Sequence, residues 1–256
     1  MSNPAGILLA TRAGAKKVPE ITVLFWVIKV LTTGMGETTS DFFVKQFVPE
    51  IAVAVSGVVL AGALVLQFRA TRYIPALYWL AVAMVSVFGT MAADVLHIGL
   101  GVPYVISTPF FAMVLVGIFV AWYVSERTLS IHSITTRRRE AFYWATVLTT
   151  FAFGTAAGDL TATTLGLGYL GSGILFAIVI VVPAIAWWKL RLNAVVAFWF
   201  AYIVTRPLGA SFADWMGVSA ARGGLDWGTG PVSLVLAALI VVLVAVLSRR
   251  DLRTIS

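Results

Sequence analysis

The sequence predicts an all-α membrane protein. Eight transmembrane helices would form four parallel two-helix repeats, with both termini on the cytoplasmic face. Three observations carry this prediction. Hydrophobic residues make up 60% of the chain and charged residues 11%, with a mean hydropathy of +0.97. A soluble domain averages about 45–50% apolar and about 25% charged residues. A fixed pattern of aromatic, Trp, Gly and Asp recurs four times. The basic residues also gather in every second loop and in the tails, on one face of the predicted spans.

In each copy of the pattern an aromatic–Trp pair is followed, ten residues after the Trp, by Gly and, fifteen after it, by Asp. The copies are Phe25-Trp26/Gly36/Asp41, Tyr78-Trp79/Gly89/Asp94, Tyr143-Trp144/Gly154/Asp159 and Phe198-Trp199/Gly209/Asp214. Identical internal spacing in four copies identifies an internal repeat, the feature to look for before any other.

In chain order, residues 1–19 form a polar lead with Arg12, Lys16 and Lys17. Its apolar run Ile7-Leu8-Leu9-Ala10 is too short for a signal-peptide core, so an uncleaved cytoplasmic tail is expected. Residues 20–248 read as one transmembrane domain, with repeats at about 20–70, 71–130, 137–190 and 192–248, and 249–256 as a second cytoplasmic tail. The eight spans are expected at about 21–36, 51–68, 74–93, 105–124, 141–157, 172–188, 195–215 and 232–247. Glu20, beside Pro19, places a favourable charge at the N-terminus of the first helix.

Charge placement sets the orientation. Fourteen of the eighteen basic residues fall in the tails or in the loops after spans two, four and six, including Arg69, Arg72, Arg127, Arg137 to Arg139, Lys189 and Arg191. The opposite face has Lys45 and Arg222, and Lys29 and Arg206 lie within spans. The positive-inside rule puts both termini in the cytoplasm, which requires an even number of spans. Successive two-helix repeats then share orientation and are related by an axis along the membrane normal. Four such units can close around a centre with approximate fourfold or two-plus-two symmetry, setting the four Asp at one depth near the outer ends.

The polar residues inside spans define the candidate site. At about 100° per residue, Lys29, Thr33 and Glu37 fall on the same stripe as Trp26, with Asp41 about 60° round. Such a stripe belongs against the bundle interior, because an ionised side chain at mid-bilayer costs about 2.5–3.5 kcal/mol. A Lys29–Glu37 pair would need a kink or a bridging water, and pairing with another repeat's Asp is an equal alternative. The eleventh position after the Trp is Glu37, Thr90, Thr155 and Ala210 in the four repeats. The third is Lys29, Val82, Val147 and Tyr202. Arg206 precedes Pro207, which removes a backbone donor and is expected to kink its helix.

Each of these features has a structural alternative. Trp26, Trp79, Trp144 and Trp199 serve either as interfacial anchors or in repeat packing. Gly36, Gly89, Gly154 and Gly209 serve in repeat packing or as hinges. The Asp residues are either ligands or helix-end caps. Lys29 and Arg206 are either counter-charges to a solute or members of a buried ion pair that only holds repeats together. His97 and His132 lie near opposite faces and do not form a pair.

Several function classes are excluded or disfavoured. The absence of Cys removes disulfides, thiolate metal sites and thiol nucleophiles. No phosphate-binding glycine loop with Lys, His-Glu-x-x-His or nucleophile elbow is present. An enzyme and a nucleic-acid partner are therefore not expected. The net charge of +7 is explained by the loops and tails.

The segments KVPEITVLFWVIKVLTTGMGETTSD, AFYWATVLTTFAFGTAAGD and FWFAYIVTRPLGASFAD resemble a family of bacterial integral membrane proteins built of four tandem two-helix repeats of unknown function. The similarity spans about residues 16–250, with YWLAVAMVSVFGTMAAD the most divergent repeat. It implies eight helices in a bacterial cytoplasmic membrane and brings no assigned activity.

The residues themselves point to a transporter or channel for a small ion. Asp41, Asp94, Asp159, Asp214 and Glu37 would form the site, with Lys29 and Arg206 as counter-charges. Oxygen-only ligands favour Mg²⁺, Mn²⁺ or protons, with the four Asp as the metal set, and no cofactor beyond such a divalent cation is expected. The alternative is a membrane sensor or assembly scaffold whose buried charges specify packing. The expected partners are the lipid bilayer and the ion or solute, and the sequence leaves room for a homo-oligomer.

Overall fold

The computed structural model describes residues 15–255, with side chains at all of these except 98 and 251–255. Arg12 of the expected N-terminal tail, and the side chain of Arg253, lie outside the described residues.

The described chain is helical, with no strand. The helices are α1 (Val23–Gln46), α2 (Pro49–Arg69), α3 (Pro75–Asp94), α4 (Tyr104–Glu126), α5 (Arg137–Asp159), α6 (Gly168–Val179), α7 (Val181–Leu190), α8 (Ala194–Gly217) and α9 (Thr229–Ile255). α6 and α7 together make one span, Gly168–Leu190. Local chemistry fixes many of the starts. Thr22, Thr136 and Asn193 cap α1, α5 and α8 through side-chain oxygens, satisfying amides that have no partner in the first turn. Pro49 and Pro75 open α2 and α3, where a missing amide hydrogen costs nothing.

Six helices are long and apolar enough to cross a membrane: Pro49–Arg69, Pro75–His97, Tyr104–Glu126, Gly168–Leu190, Ala194–Gly217 and Thr229–Arg250. α1 and α5 are equally long, at 24 and 23 residues, but more polar. Their charged residues are Lys29, Glu37, Asp41 and Lys45 in α1, and Arg137 to Arg139, Glu140 and Asp159 in α5.

The helices form two layers. α1, α3, α5 and α8, the four that carry the Trp-Gly-Asp pattern, pack as a closed inner ring in that order, α8 returning to α1. Each remaining span packs chiefly on the inner helix of the following repeat: α2 on α3, α4 on α5, α6 on α8 and α9 on α1. No repeat packs its outer span chiefly on its own inner helix, so the four are interlocked. The outer helices turn large apolar side chains outward, among them Val58, Met113, Val116, Ile178, Leu234 and Val241. An exposed apolar surface of that extent is suited to lipid.

Pro207 lies inside α8, which continues from Ala194 to Gly217. One expectation needs correction. The first inner helix extends about three turns beyond the expected end at 36 and carries Asp41 within it. Deviation from the α-helix occurs just after Asp94 and Asp159, where Val95–Gly99 and Leu160–Thr164 form single π-helical segments. Such widened turns recur at functional positions.

Candidate functional site at the centre of the inner ring

The ring is built by the same two contacts at all four seams. The aromatic residue before each Trp packs on the Trp of the next repeat: Phe25 on Trp79, Tyr78 on Trp144, Tyr143 on Trp199 and Phe198 on Trp26, with centroids 5.7, 5.7, 6.1 and 5.7 Å apart. Two turns further along, each repeated Gly receives the residue seven places after the next repeat's Trp. Gly36 faces Ser86, Gly89 faces Phe151, Gly154 faces Arg206 and Gly209 faces Thr33. A β-carbon at any of these glycines would overlap its neighbour, so the glycines serve close approach. Trp79, Trp144 and Trp199 are buried and Trp26 is half-buried. The indole of Trp199 also donates to the Leu129 carbonyl at 2.8 Å.

These seams bring Arg206 to the centre of the ring, where it has no solvent exposure. Its guanidinium binds the Glu37 carboxylate at 2.6 Å, the Thr155 hydroxyl at 2.7 Å, the Thr90 hydroxyl, and the Thr33 carbonyl at 3.3 Å. Glu37, Thr90 and Thr155 are the eleventh-position residues of repeats one, two and three. Repeat four supplies the cation that they surround. Glu37 is 5% exposed. A buried ion pair holds only where further hydrogen bonds satisfy its groups, and the two threonines supply them. The Arg206 Nε has no hydrogen-bond partner among the described residues.

Lys29 lies deeper toward the Trp end and is 1% exposed. It pairs neither with Glu37 nor with any aspartate. Among the described residues its ammonium has no hydrogen-bond acceptor, and it lies over two rings, 4.2 Å from the Phe151 centroid and 4.3 Å from that of Tyr202. The Arg206 guanidinium carbon is 5.3 Å from the same Phe151 ring. Beyond Lys29 the Tyr78 and Tyr143 hydroxyls are hydrogen-bonded to each other. The Tyr202 hydroxyl approaches this pair without completing a well-aligned bond.

Toward the other end stand the aspartates. Asp214 is buried, and Asp94 and Asp159 are half-buried. Each of these three is within electrostatic reach of Glu37. Tyr104 of α4 approaches Asp159. Asp41 is bound to Lys45 at 2.6 Å, one turn along α1. Among the described residues no three His, Asp or Glu side chains are gathered closely enough to hold a metal ion. The four aspartates expected from the sequence as a metal set form no such group among the described residues. The carboxylates sit on four separate inner helices, and Asp41 already has a cation.

A second buried charged group closes the Trp end and was not singled out in the sequence. Lys17 reaches Glu140 at 2.6 Å and the Phe68 carbonyl at 3.1 Å, and Gln67 donates to the other Glu140 oxygen at 3.2 Å. Backbone bonds from Lys17 to Ile134 and from Tyr73 to Lys16 pin the segment before α1 across this end. The residues expected as the end of a free tail thus pack into the core, with Lys17 and Val18 both buried. The available signal was a lone Glu four residues before a repeated Trp, directly after three arginines.

A family model described as Repeat of Unknown Function (DUF347) matches residues 24–73, 77–128, 142–193 and 197–252. No curated protein and no solved structure matches the chain.

Proposed function

Since the chain belongs to the family of this fourfold repeat, we propose that the four copies together form one membrane carrier for a small cation, with the site on the axis of the inner ring. The observation that supports this reading is the fully buried Arg206–Glu37 pair at the meeting point of all four repeats. It is approached from one end by Asp94, Asp159 and Asp214, and closed at the other by the aromatic layer. The carboxylates would attract a cation, and Glu37 would accept it in exchange for Arg206. Arg206 would remain held by Thr90 and Thr155 when its anion is engaged.

In this reading all eight helical rods span a bacterial inner membrane. α1 and α5 tolerate their polar residues because other helices enclose them, the usual location for intramembrane charge. The basic loops and tails put both termini in the cytoplasm and the aspartates toward the outside.

The experiment is flux into proteoliposomes for a panel of H⁺, Na⁺, K⁺, Mg²⁺ and Mn²⁺, comparing the wild type with Glu37→Gln. Uptake of one cation by the wild type, lost in a folded Glu37→Gln protein, supports the carrier. The second reading is a scaffold, supported by the tight filling of the axis at every Gly seam. It predicts no flux of any cation and no cation-dependent change in melting temperature.

A further inference from the structure

The axis between the Arg206–Glu37 pair and the Trp end is filled by Lys29, Phe151, Tyr202, Tyr143 and Tyr78, each no more than 1% exposed. A hydrated metal ion meets two cationic side chains here, Arg206 and Lys29, and ring faces rather than a shell of oxygens. A proton needs no open passage, only fixed groups that can take it up and release it. Lys29 is the unusual group on this line. It has no counter-anion among the described residues, touches the neighbouring repeats only through the ring faces of Phe151 and Tyr202, and stands within reach of a like charge on Arg206. Removing solvation from an unpaired charge is costly, and contact with π faces recovers only part of that cost. The fold would be better served by an apolar side chain of the same length.

We infer that Lys29 is the proton-carrying side chain of this protein, passing protons between Glu37 and the Tyr202–Tyr143–Tyr78 hydroxyls. This inference rests on the carrier reading and names its ion. Glu37 and Lys29 are eight residues apart on one helix face, a rise of about 12 Å, so the proton passes between them by way of a bridging water. The transfer is balanced. The Glu37 carboxyl loses a proton and becomes the carboxylate that Arg206 binds, while the Lys29 amine gains that proton and becomes ammonium. The ammonium then gives a proton to a tyrosine oxygen, which releases its own to the next acceptor. Glu140, one turn before Tyr143 on α5, is the carboxylate on the exit side. The titratable or charged groups shown to face Lys29 are Arg206 and Tyr202, both from α8, with the Tyr78–Tyr143 hydroxyl pair approached in turn by the Tyr202 hydroxyl.

The test pairs Lys29→Met with Lys29→Arg and reads both melting temperature and proton flux, using a pH-sensitive dye inside proteoliposomes. Lys29→Met is expected to melt no lower than the wild type. It should lose proton flux by about a hundredfold, the low end of what a positioned proton-transfer group contributes. Lys29→Arg keeps the charge but cannot give up its proton at accessible pH, so it should lose flux as well. Undiminished flux in Lys29→Arg would reduce Lys29 to a fixed counter-charge and overturn the inference. So would a lowered melting temperature in Lys29→Met with flux retained. A wild type that carries a metal cation and no protons refutes the inference while leaving the carrier intact. A wild type that moves nothing refutes both.

Discussion

The Arg206 side chain crosses the inner ring directly over Gly154, where an added β-carbon would stand 2.6 Å from the Arg206 Cβ. The central ion pair and the repeated glycine are thus one structural device. The arginine reaches Glu37 only because the neighbouring helix presents bare backbone. Gly154→Ala should force Arg206 aside and cost about 1–3 kcal/mol, the usual range for overpacking. Gly117→Ala, on the outer helix α4 with nothing near its β position, should change stability little. Thermal unfolding of the two variants in the same detergent checks the contrast.

The Arg206–Glu37 pair should behave as a buried unit. Removing one member leaves the other charge uncompensated, so Arg206→Gln and Glu37→Gln should each destabilise by about 3–5 kcal/mol. The double substitution should cost clearly less than the two singles added together, and a double-mutant cycle measures that coupling. Additive losses would mean that Thr90 and Thr155, rather than Glu37, hold the guanidinium.

The four repeats are not equivalent in their Trp positions. Trp79 is 2% exposed, and Trp144 and Trp199 are 4% exposed. Trp26 borders a groove of about 560 Å³ between α1, α7 and α8, lined also by Ile180, Pro183 and Trp187. Truncation to Ala at Trp144 or Trp199 should cost about 3–5 kcal/mol, as for fully buried aromatics. Trp26→Ala should cost distinctly less. Melting temperatures of the three variants rank them, and equal losses would show that the groove is filled in the membrane.

How much of this was legible in the sequence depends on which contacts are periodic. Spacing alone identified the inner helices, because Trp, Gly and Asp recur at intervals that one helix face can present. The stripe of Lys29, Thr33 and Glu37 was correctly placed toward the interior. Which repeat meets which could not be read, since seams between parallel repeats depend on how the ring closes. For that reason the sequence leaves the partner of Lys29 open between Glu37 and another repeat's Asp, whereas Arg206 from the far end of the chain takes Glu37 and Lys29 lies over two rings. The threonines at the eleventh position were visible as a series but not as ligands of one guanidinium. Lys17 was counted with a basic tail because its partner Glu140 lies 123 residues away. The π-helical turns after Asp94 and Asp159 carry no local mark such as Pro.

The Lys17–Glu140 pair makes the closure of the Trp end testable apart from the axis. Lys17 belongs to a segment with no helix of its own. What holds it includes this ion pair, the Phe68 carbonyl, the Gln67 amide on the Lys17 carbonyl and two backbone bonds to neighbouring loops. Glu140→Gln removes the anion but keeps the shape, leaving the Lys17 ammonium buried with neutral oxygen acceptors and no counter-charge. A buried charge so deprived is expelled toward water in preference to being held in place. Residues 15–22 should then exchange their amide hydrogens faster, while the inner ring, stapled at four Gly seams, keeps its protection. Hydrogen exchange read by mass spectrometry separates the two regions. Unchanged protection of 15–22 would assign the closure to the backbone bonds alone. Faster exchange throughout the ring would make Glu140 part of the core's own stability.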